Sequence, residues 1–149
     1  RIEVAALFAR AAANAAAQAE RVGVQLVFDE SSMHIVGDAE TLQLAIDNLV
    51  RNAIDFSPRG GVVRVSALAV HGAVNIDVTD QGPGFATFVQ ERIGERFIST
   101  PRPDGRPKGS GLGLAIARQV ALLHGGALSV VSASEPTCMR LSLPVARPL

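Results

Sequence analysis

The sequence lacks three features that would each indicate a particular class of protein. Its single cysteine, Cys138, can form no internal disulfide and has no partner at metal-binding spacing, which is typical of a reducing compartment, so we expect a cytoplasmic protein. Fourteen Lys and Arg balance fourteen Asp and Glu, so no overall field favours nucleic acid or an anionic membrane surface as partner. No stretch approaches the roughly 20 apolar residues of a membrane helix, so no direct membrane contact is expected.

The composition is that of a folded domain. Hydrophobic residues make up 48% and charged residues 19%, unlike the polar, highly charged composition of disordered chains. A length of 149 residues fits one domain, so we assign residues 1–149 to a single domain. Because the chain begins with Arg1 inside a predicted helix, we expect it to be part of a longer protein.

Hydrophobic spacing predicts three helices separated by short strands. The first helix covers residues 2–21, the second follows the N-cap Asp38 and ends at Phe56, and the third covers residues 114–124. Alternating or β-branched segments predict strands at 24–28, 34–36, 62–70, 73–79, 128–132 and 138–145, with a hairpin between the third and fourth. The segment 81–113 is rich in glycine, proline and charge, which predicts a long and therefore functional loop.

A polar stripe interrupts the second helix. Asn48, Asn52 and Asp55 stand at positions i, i+4 and i+7, which places them on one side of the helix. Asparagine is unfavourable inside a helix because its side chain competes with the backbone for hydrogen bonds. Taken alone, the stripe is compatible with a solvated outer face as well as with a binding site.

Two glycine-rich turns flank the predicted loop. The turn at 80–84 places Asp80, which can accept a hydrogen bond from an exocyclic amine, beside glycines that allow close approach of a ligand; an ordinary Gly-Pro turn would look the same. The turn at 109–114 opens the third helix, an arrangement that suits anions such as phosphates. It is not a Walker A loop, and Leu114 stands where the dinucleotide fingerprint has its third glycine.

Four segments carry a family resemblance through their order and spacing: NLVRNAIDFS at 48–57, DQGPGF at 80–85, ERF at 95–97 and GSGLGLAIA at 109–117. They resemble the N, G1, F and G2 boxes of histidine-kinase catalytic domains, and the resemblance spans essentially the whole chain. It implies an α/β two-layer sandwich (the Bergerat fold), in which a mixed, mostly antiparallel sheet packs against about three helices. ATP would lie between the helices beneath a long lid, here residues 85–110.

The resemblance also implies a reaction and its participants. The domain would bind ATP with Mg²⁺ and donate the γ-phosphoryl group to a histidine on a separate dimerisation domain, with a response regulator downstream in two-component signalling. An amide at Asn48 cannot act as a general base, whereas related ATPases carry a glutamate there, which favours phosphoryl transfer over hydrolysis. His34, His71 and His124 lack the phosphoacceptor motif, so we interpret them as structural or surface residues and expect no self-phosphorylation by the isolated domain.

The resemblance implies a role for each residue of the site. Asn48 and Asn52 would be the catalytic residues, with Asn52 as the metal ligand, because Mg²⁺ accepts neutral amide oxygens. Asp80 would bind the adenine amino group and exclude GTP, whose carbonyl oxygen would face another acceptor. Asp55 would place a carboxylate near the nucleotide where relatives frequently carry lysine, and Phe56 would contact adenine or ribose. The other expected nucleotide contacts are Gly82, Gly84, Phe85, Phe97, Lys108, Gly109, Ser110, Gly111, Leu112, Gly113 and Leu114.

Two alternative functions stay open at the level of sequence. One is an anti-sigma-factor-type serine kinase of the same superfamily, against which Asn48 and the ERF segment count. The other is a non-catalytic nucleotide-sensing module, which is favoured by three departures from the family pattern at Asp55, Gly94 and Ser99.

Overall fold

The structure, a computed structural model, describes residues 1–81, 113–133 and 137–145. The helices of these ranges are α1 (Val4–Val22), α2 (Ala39–Phe56) and α3 (Gly113–Leu123). The strands are β1 (Ile2–Glu3), β2 (Gln25–Phe28), β3 (His34–Ile35), β4 (Val62–Val70), β5 (Ala73–Asp80), β6 (Ala127–Ala133) and β7 (Thr137–Pro144). None of the described helices is both long enough and apolar enough to span a bilayer.

Five of the strands form one sheet in the order β2-β4-β5-β7-β6. β2 and β4 are parallel because α2 lies in the connection between them, and the other neighbouring strands are antiparallel. All three helices contact this sheet, and alternate residues of β5, namely Val74, Ile76 and Val78, are buried in the core. The predicted two-layer sandwich with a mixed, mostly antiparallel sheet is therefore confirmed.

Helix α2 forms as its sequence predicts. The Asp38 carboxylate accepts a hydrogen bond from the backbone N–H of Thr41 at 3.2 Å and so caps the helix. The predicted apolar face is buried, with exposed fractions between 0% and 5%. Its members are Leu42, Ile46, Leu49, Ala53 and Phe56.

The β4–β5 hairpin is also confirmed, and its turn explains the tight connection. His71 has a φ of 48° and Gly72 a φ of 79°, so both central residues are left-handed. This is the requirement of a type I′ turn, whose twist matches that of the flanking strands.

Most elements differ from their predicted bounds by one or two residues, and three of these differences bear on the site or the packing. Residues Ile2–Glu3 are not helical but pair antiparallel with His34–Ile35, so the first helix begins only at Val4. The last strand begins at Thr137 rather than one residue later, because Thr137 pairs with Asp80. The third helix includes Gly113 at its start.

Candidate active site

The polar stripe of α2 is covered by α3 at Asn48. This side chain is only 6% exposed, and its Nδ2 donates to the carbonyl oxygen of Leu44 at 2.9 Å. Its Oδ1 lies against the start of α3, because a Cβ built on Gly113 would be 3.2 Å from that oxygen. Asn52, one turn later, is half-buried. A solvated outer face is therefore the wrong interpretation for Asn48, which lies at the contact between two helices.

Helices α2 and α3 lie side by side in opposite directions. Gly113, the first residue of α3, is next to Asn48 in the middle of α2. His124, just after the end of α3, accepts a hydrogen bond from the backbone N–H of Asp38, the N-cap of α2. The positive end of the α3 dipole and its first N–H groups thus lie beside the Asn48 amide of α2, a combination that suits phosphate groups.

A second polar group lies at the end of the sheet. Asp80, the last residue of β5, is 4% exposed and is paired with Thr137 at the start of β7. Directly paired residues of antiparallel strands share one face of the sheet, here the face of the core residues Val78 and Met139. The Thr137 hydroxyl is buried and has no hydrogen-bond partner among the residues described. A buried unpaired hydroxyl costs about 1–3 kcal/mol, so a ligand or a water that bonds it would recover free energy.

Sequence reasoning missed Thr137, although a signal for it exists. The strand has a two-residue period in which Met139, Leu141 and Leu143 face the core. Extending that period backwards by one step puts a hydroxyl residue, Thr137, on the buried face next to the predicted ligand group Asp80.

A hydrogen bond of Gln81 shows where the end of β5 lies relative to α2. The Oε1 of Gln81 accepts a hydrogen bond from the backbone N–H of Val62 at 3.2 Å, and Val62 is the first residue of β4, which follows α2 in the chain. Asp80 is therefore at the end of the sheet where the chain arrives from the C-terminal end of α2. This is the half of the helix that carries Asn52.

An ion pair on the outer face of the sheet braces β5 against β7. Arg140 donates to both carboxylate oxygens of Asp77, at 2.8 and 2.9 Å, and this hydrogen bonding raises the pKa of the arginine. Beside it, burial raises the pKa of the Cys138 thiol, so the thiol stays protonated and unreactive at neutral pH. These contacts fix the two strands that carry Asp80 and Thr137.

Asp55 is engaged with the opposite neighbour of α2. Its Oδ1 accepts a hydrogen bond from Nε2 of Gln18, on α1, at 2.9 Å. Phe56 is 5% exposed and contributes to the buried side of α2. Contacts of either residue with a nucleotide stay predictions.

Several predicted site residues lie outside the described residues, as does the predicted lid at 85–110. They are Gly82, Gly84, Phe85, Phe97, Lys108, Gly109, Ser110, Gly111 and Leu112. Leu114 is half-buried and packs against the core, which leaves its backbone as the part available to a phosphate. Within the three described ranges, no three His, Cys, Asp or Glu side chains are grouped to hold a metal, and Asn52 stays the predicted ligand.

Comparison with known sequences places the chain in a family. Residues 37–147 match the family described as histidine kinase-, DNA gyrase B-, and HSP90-like ATPase. The chain is 35% identical to the sensor protein CreC of Escherichia coli K12 over 134 residues, which are 90% of this chain and 28% of CreC. It is 44% identical to the sensor-like histidine kinase SenX3 of Mycobacterium tuberculosis H37Rv over 103 residues, 68% of this chain and 25% of SenX3. The chain thus spans about a quarter of the length of these relatives.

Solved structures agree with this assignment. The mycobacterial sensor histidine kinase MprB superposes with a TM-score of 0.82 at 30% identity, over 99% of both chains. The ATP-binding domain of PrrB from Mycobacterium tuberculosis superposes with a TM-score of 0.74 at 30% identity, over 98% of this chain and 96% of that one. The chain therefore belongs to the histidine kinase-, DNA gyrase B- and HSP90-like ATPases, and within them to the ATP-binding catalytic domains of sensor histidine kinases.

Proposed function

We propose that the chain binds Mg-ATP and donates its γ-phosphoryl group to a histidine on a separate helical dimerisation domain. The phosphoryl group would then pass to a response regulator, in a cytoplasmic two-component pathway. The observation that carries this proposal is the contact between the Asn48 amide and the first residue of α3. That contact brings polar groups of α2 to the helix end best suited to phosphates.

The buried groups at the end of the sheet fit adenine. The Asp80 carboxylate can accept a hydrogen bond from the exocyclic amino group. The Thr137 hydroxyl, which has no partner among the described residues, can donate to a ring nitrogen, directly or through a water. Guanine presents a carbonyl oxygen in place of the amino group, so the carboxylate would face an acceptor. The site is therefore expected to select ATP over GTP.

The amide oxygens of α2 fit a magnesium ion that is bound mainly by the nucleotide. Asn52 would supply a neutral oxygen ligand, with the remaining positions taken by phosphate oxygens and water, and Asn48 would support the metal or a phosphate. The ion would neutralise charge on the β- and γ-phosphates. Gly113 and Leu114 would contribute backbone N–H groups at the start of α3.

The proposed transfer needs no general base from this chain. A neutral imidazole nitrogen of the acceptor histidine has a lone pair and attacks the γ-phosphorus directly. The new N–P bond forms as the bond between the γ-phosphorus and the bridging oxygen breaks, and ADP leaves with that electron pair. The Asn48 amide cannot deprotonate a water, which disfavours hydrolysis.

The test mixes the chain with γ-labelled ATP and a histidine-bearing helical domain. Acid-labile label on the helical domain is the expected result, since phosphohistidine is hydrolysed in acid whereas phosphoserine is stable. The Asn52→Ala variant, as a matched control, should transfer no label. Acid-stable label on a partner protein would favour the serine-kinase alternative, and label on the chain itself would contradict our interpretation of its three histidines.

A further inference from the structure

Helices α2 and α3 are joined at a second place, at the opposite end from Gly113. The His124 ring follows α3 and is half-buried. Its Nε2 accepts from the backbone N–H of Asp38 at 3.1 Å, and its Nδ1 lies 2.8 Å from the carbonyl oxygen of Val120. Because Nε2 faces a donor and Nδ1 faces an acceptor, the proton is on Nδ1. The ring thus bonds the last turn of α3 and the N-cap of α2 at the same time.

Gly37 provides the space that this ring occupies. A Cβ built on Gly37 would lie 2.6 Å from Nε2 of His124 and 2.9 Å from Cδ1 of Leu42. Any larger residue at this position must displace the imidazole, since Leu42 is fully buried and cannot move aside. We call the group formed by Gly37, Asp38 and His124 the histidine latch.

The latch and the Asn48 contact lie at the two ends of α3. The helix is about 16 Å long, at 1.5 Å per residue. Its buried residues Ala117, Val120 and Ala121 pack into the core, and the helix has extensive contacts with α2. The latch adds a hydrogen bond across the α2–α3 contact at the end of α3 that lies away from Gly113. A helix moves as a rigid rod, so a shift at the latch end changes the position of Gly113 relative to Asn48.

We propose that His124 is a positioning residue for the phosphate-binding end of the nucleotide site. It sets the spacing between α2 and α3 and so holds Gly113 against Asn48, although it does not contact the nucleotide itself. This inference rests on the proposed binding of ATP between these helices. It predicts that the latch affects binding of the phosphates and leaves binding of the base at Asp80 unaffected.

The experiment compares ATP with adenosine, which has the base but no phosphates. We expect His124→Phe, which keeps a ring but removes the acceptor, to weaken ATP binding about tenfold, with adenosine affinity changed less than about twofold. His124→Gln offers an amide oxygen to the Asp38 N–H and should restore ATP affinity to within about threefold of the wild type. His34→Phe, the same change at an exposed site on β3, is the control and should bind both ligands normally.

Gly37→Ala tests the latch without changing the histidine. The new Cβ should displace the ring and weaken ATP binding severalfold. In a Gly37→Ala/His124→Ala double variant the ring is gone and only the contact with Leu42 remains, so the added methyl should cost clearly less than it does in the wild type. Additive losses in the double variant would overturn the proposal.

The remaining outcomes separate the two proposals. Unchanged ATP affinity in a folded His124→Phe protein, or equal losses for ATP and adenosine, would overturn the positioning role and leave ATP binding intact. A wild-type chain that binds no ATP would overturn the proposed function, and the role of His124 with it.

Discussion

The two sides of α2 are built differently. Towards α1, side chains hydrogen-bond directly across the interface: Asn14 donates to Asp47 at 2.8 Å, and Gln43 donates to the carbonyl oxygen of Leu7 at 3.0 Å. Within α2, Gln43 also donates to Asp47 at 2.9 Å. Towards α3, the polar side chain of Asn48 uses its donor within its own helix and presents its oxygen at the start of α3. One side is closed by protein hydrogen bonds, and the other presents polar atoms where a ligand can bind.

This difference determines which substitutions should change the stability of the fold and which should change the binding of a ligand. Hydrogen bonds between polar groups of two helices stabilise the fold. Removing one partner leaves the other group without a hydrogen bond and destabilises the fold. The Asn48 side chain on the α3 side makes its hydrogen bond within α2, so substitutions around it should leave the fold intact.

The largest effect is expected from Asn52→Ala on the α3 side. Removing the proposed magnesium ligand should weaken Mg-dependent ATP binding about 100-fold, or ~2.7 kcal/mol, with the unfolding midpoint nearly unchanged. Asn14→Ala is the matched control, because it makes the same substitution on the α1 side. Calorimetric titration of both variants with Mg-ATP provides the measurement, and equal affinities in the two proteins would contradict the site.

Gln43→Ala should produce the opposite pattern. Gln43 is 3% exposed and bonds both α1 and Asp47, so truncation removes two hydrogen bonds and leaves a small cavity. We expect a loss of about 2 kcal/mol in the free energy of unfolding. The loss is limited because the Oε1 of Gln43 is buried without a partner among the described residues, and truncation removes this unfavourable group as well. Urea unfolding measures this loss. A drop in ATP affinity in the folded Gln43→Ala protein would show that the α1 side of α2 also affects nucleotide binding.

Gly113→Ala should lower ATP affinity without lowering stability. The added methyl would lie 3.2 Å from Oδ1 of Asn48 and must push that oxygen aside, while alanine favours the helix. A decrease in affinity of about fivefold, ~1 kcal/mol, is expected together with an unchanged or higher unfolding midpoint. If affinity and stability fell together, the contact would be structural rather than part of a binding site.

The smallest effect is expected from Asn14→Ala. Its hydrogen bond to Asp47 is exposed to solvent, and Asp47 retains the bond from Gln43. The free energy of unfolding should fall by about 0.5–1 kcal/mol. A loss as large as that of Gln43→Ala would mean that the α1 interface depends on its exposed rim rather than on its buried bonds.

Most of the fold could be predicted because its elements carry a clear period. The apolar positions of α2 and the alternation of β5 each repeat over several turns or pairs. The cap at Asp38 and the turn at Gly72 mark the element boundaries. Strand β1 could not be predicted, since two residues show no period and Ile2–Glu3 continue the spacing of α1. Its pairing with His34–Ile35 depends on where α1 packs, which is a property of the tertiary structure.

Family motifs predict the part of the candidate site that belongs to short segments of the chain. Asn48, Asn52 and Asp80 stand at fixed spacing within segments that resemble family boxes. Thr137 and His124 could not be found in that way, because each acts across a contact between distant parts of the chain. Thr137 meets Asp80 through strand pairing, and His124 meets Asp38 through the antiparallel packing of two helices.

The central claim is that Asp80 and the α2–α3 contact form an adenine-specific ATP site. Its most direct test is a titration of the wild-type chain and the Asp80→Asn variant with ATP and with GTP, each in the presence of Mg²⁺. We predict that the wild type binds ATP and discriminates strongly against GTP, and that Asp80→Asn loses most of its ATP affinity and with it the discrimination. Normal ATP affinity in Asp80→Asn, or equal binding of the two nucleotides by the wild type, would contradict the assignment.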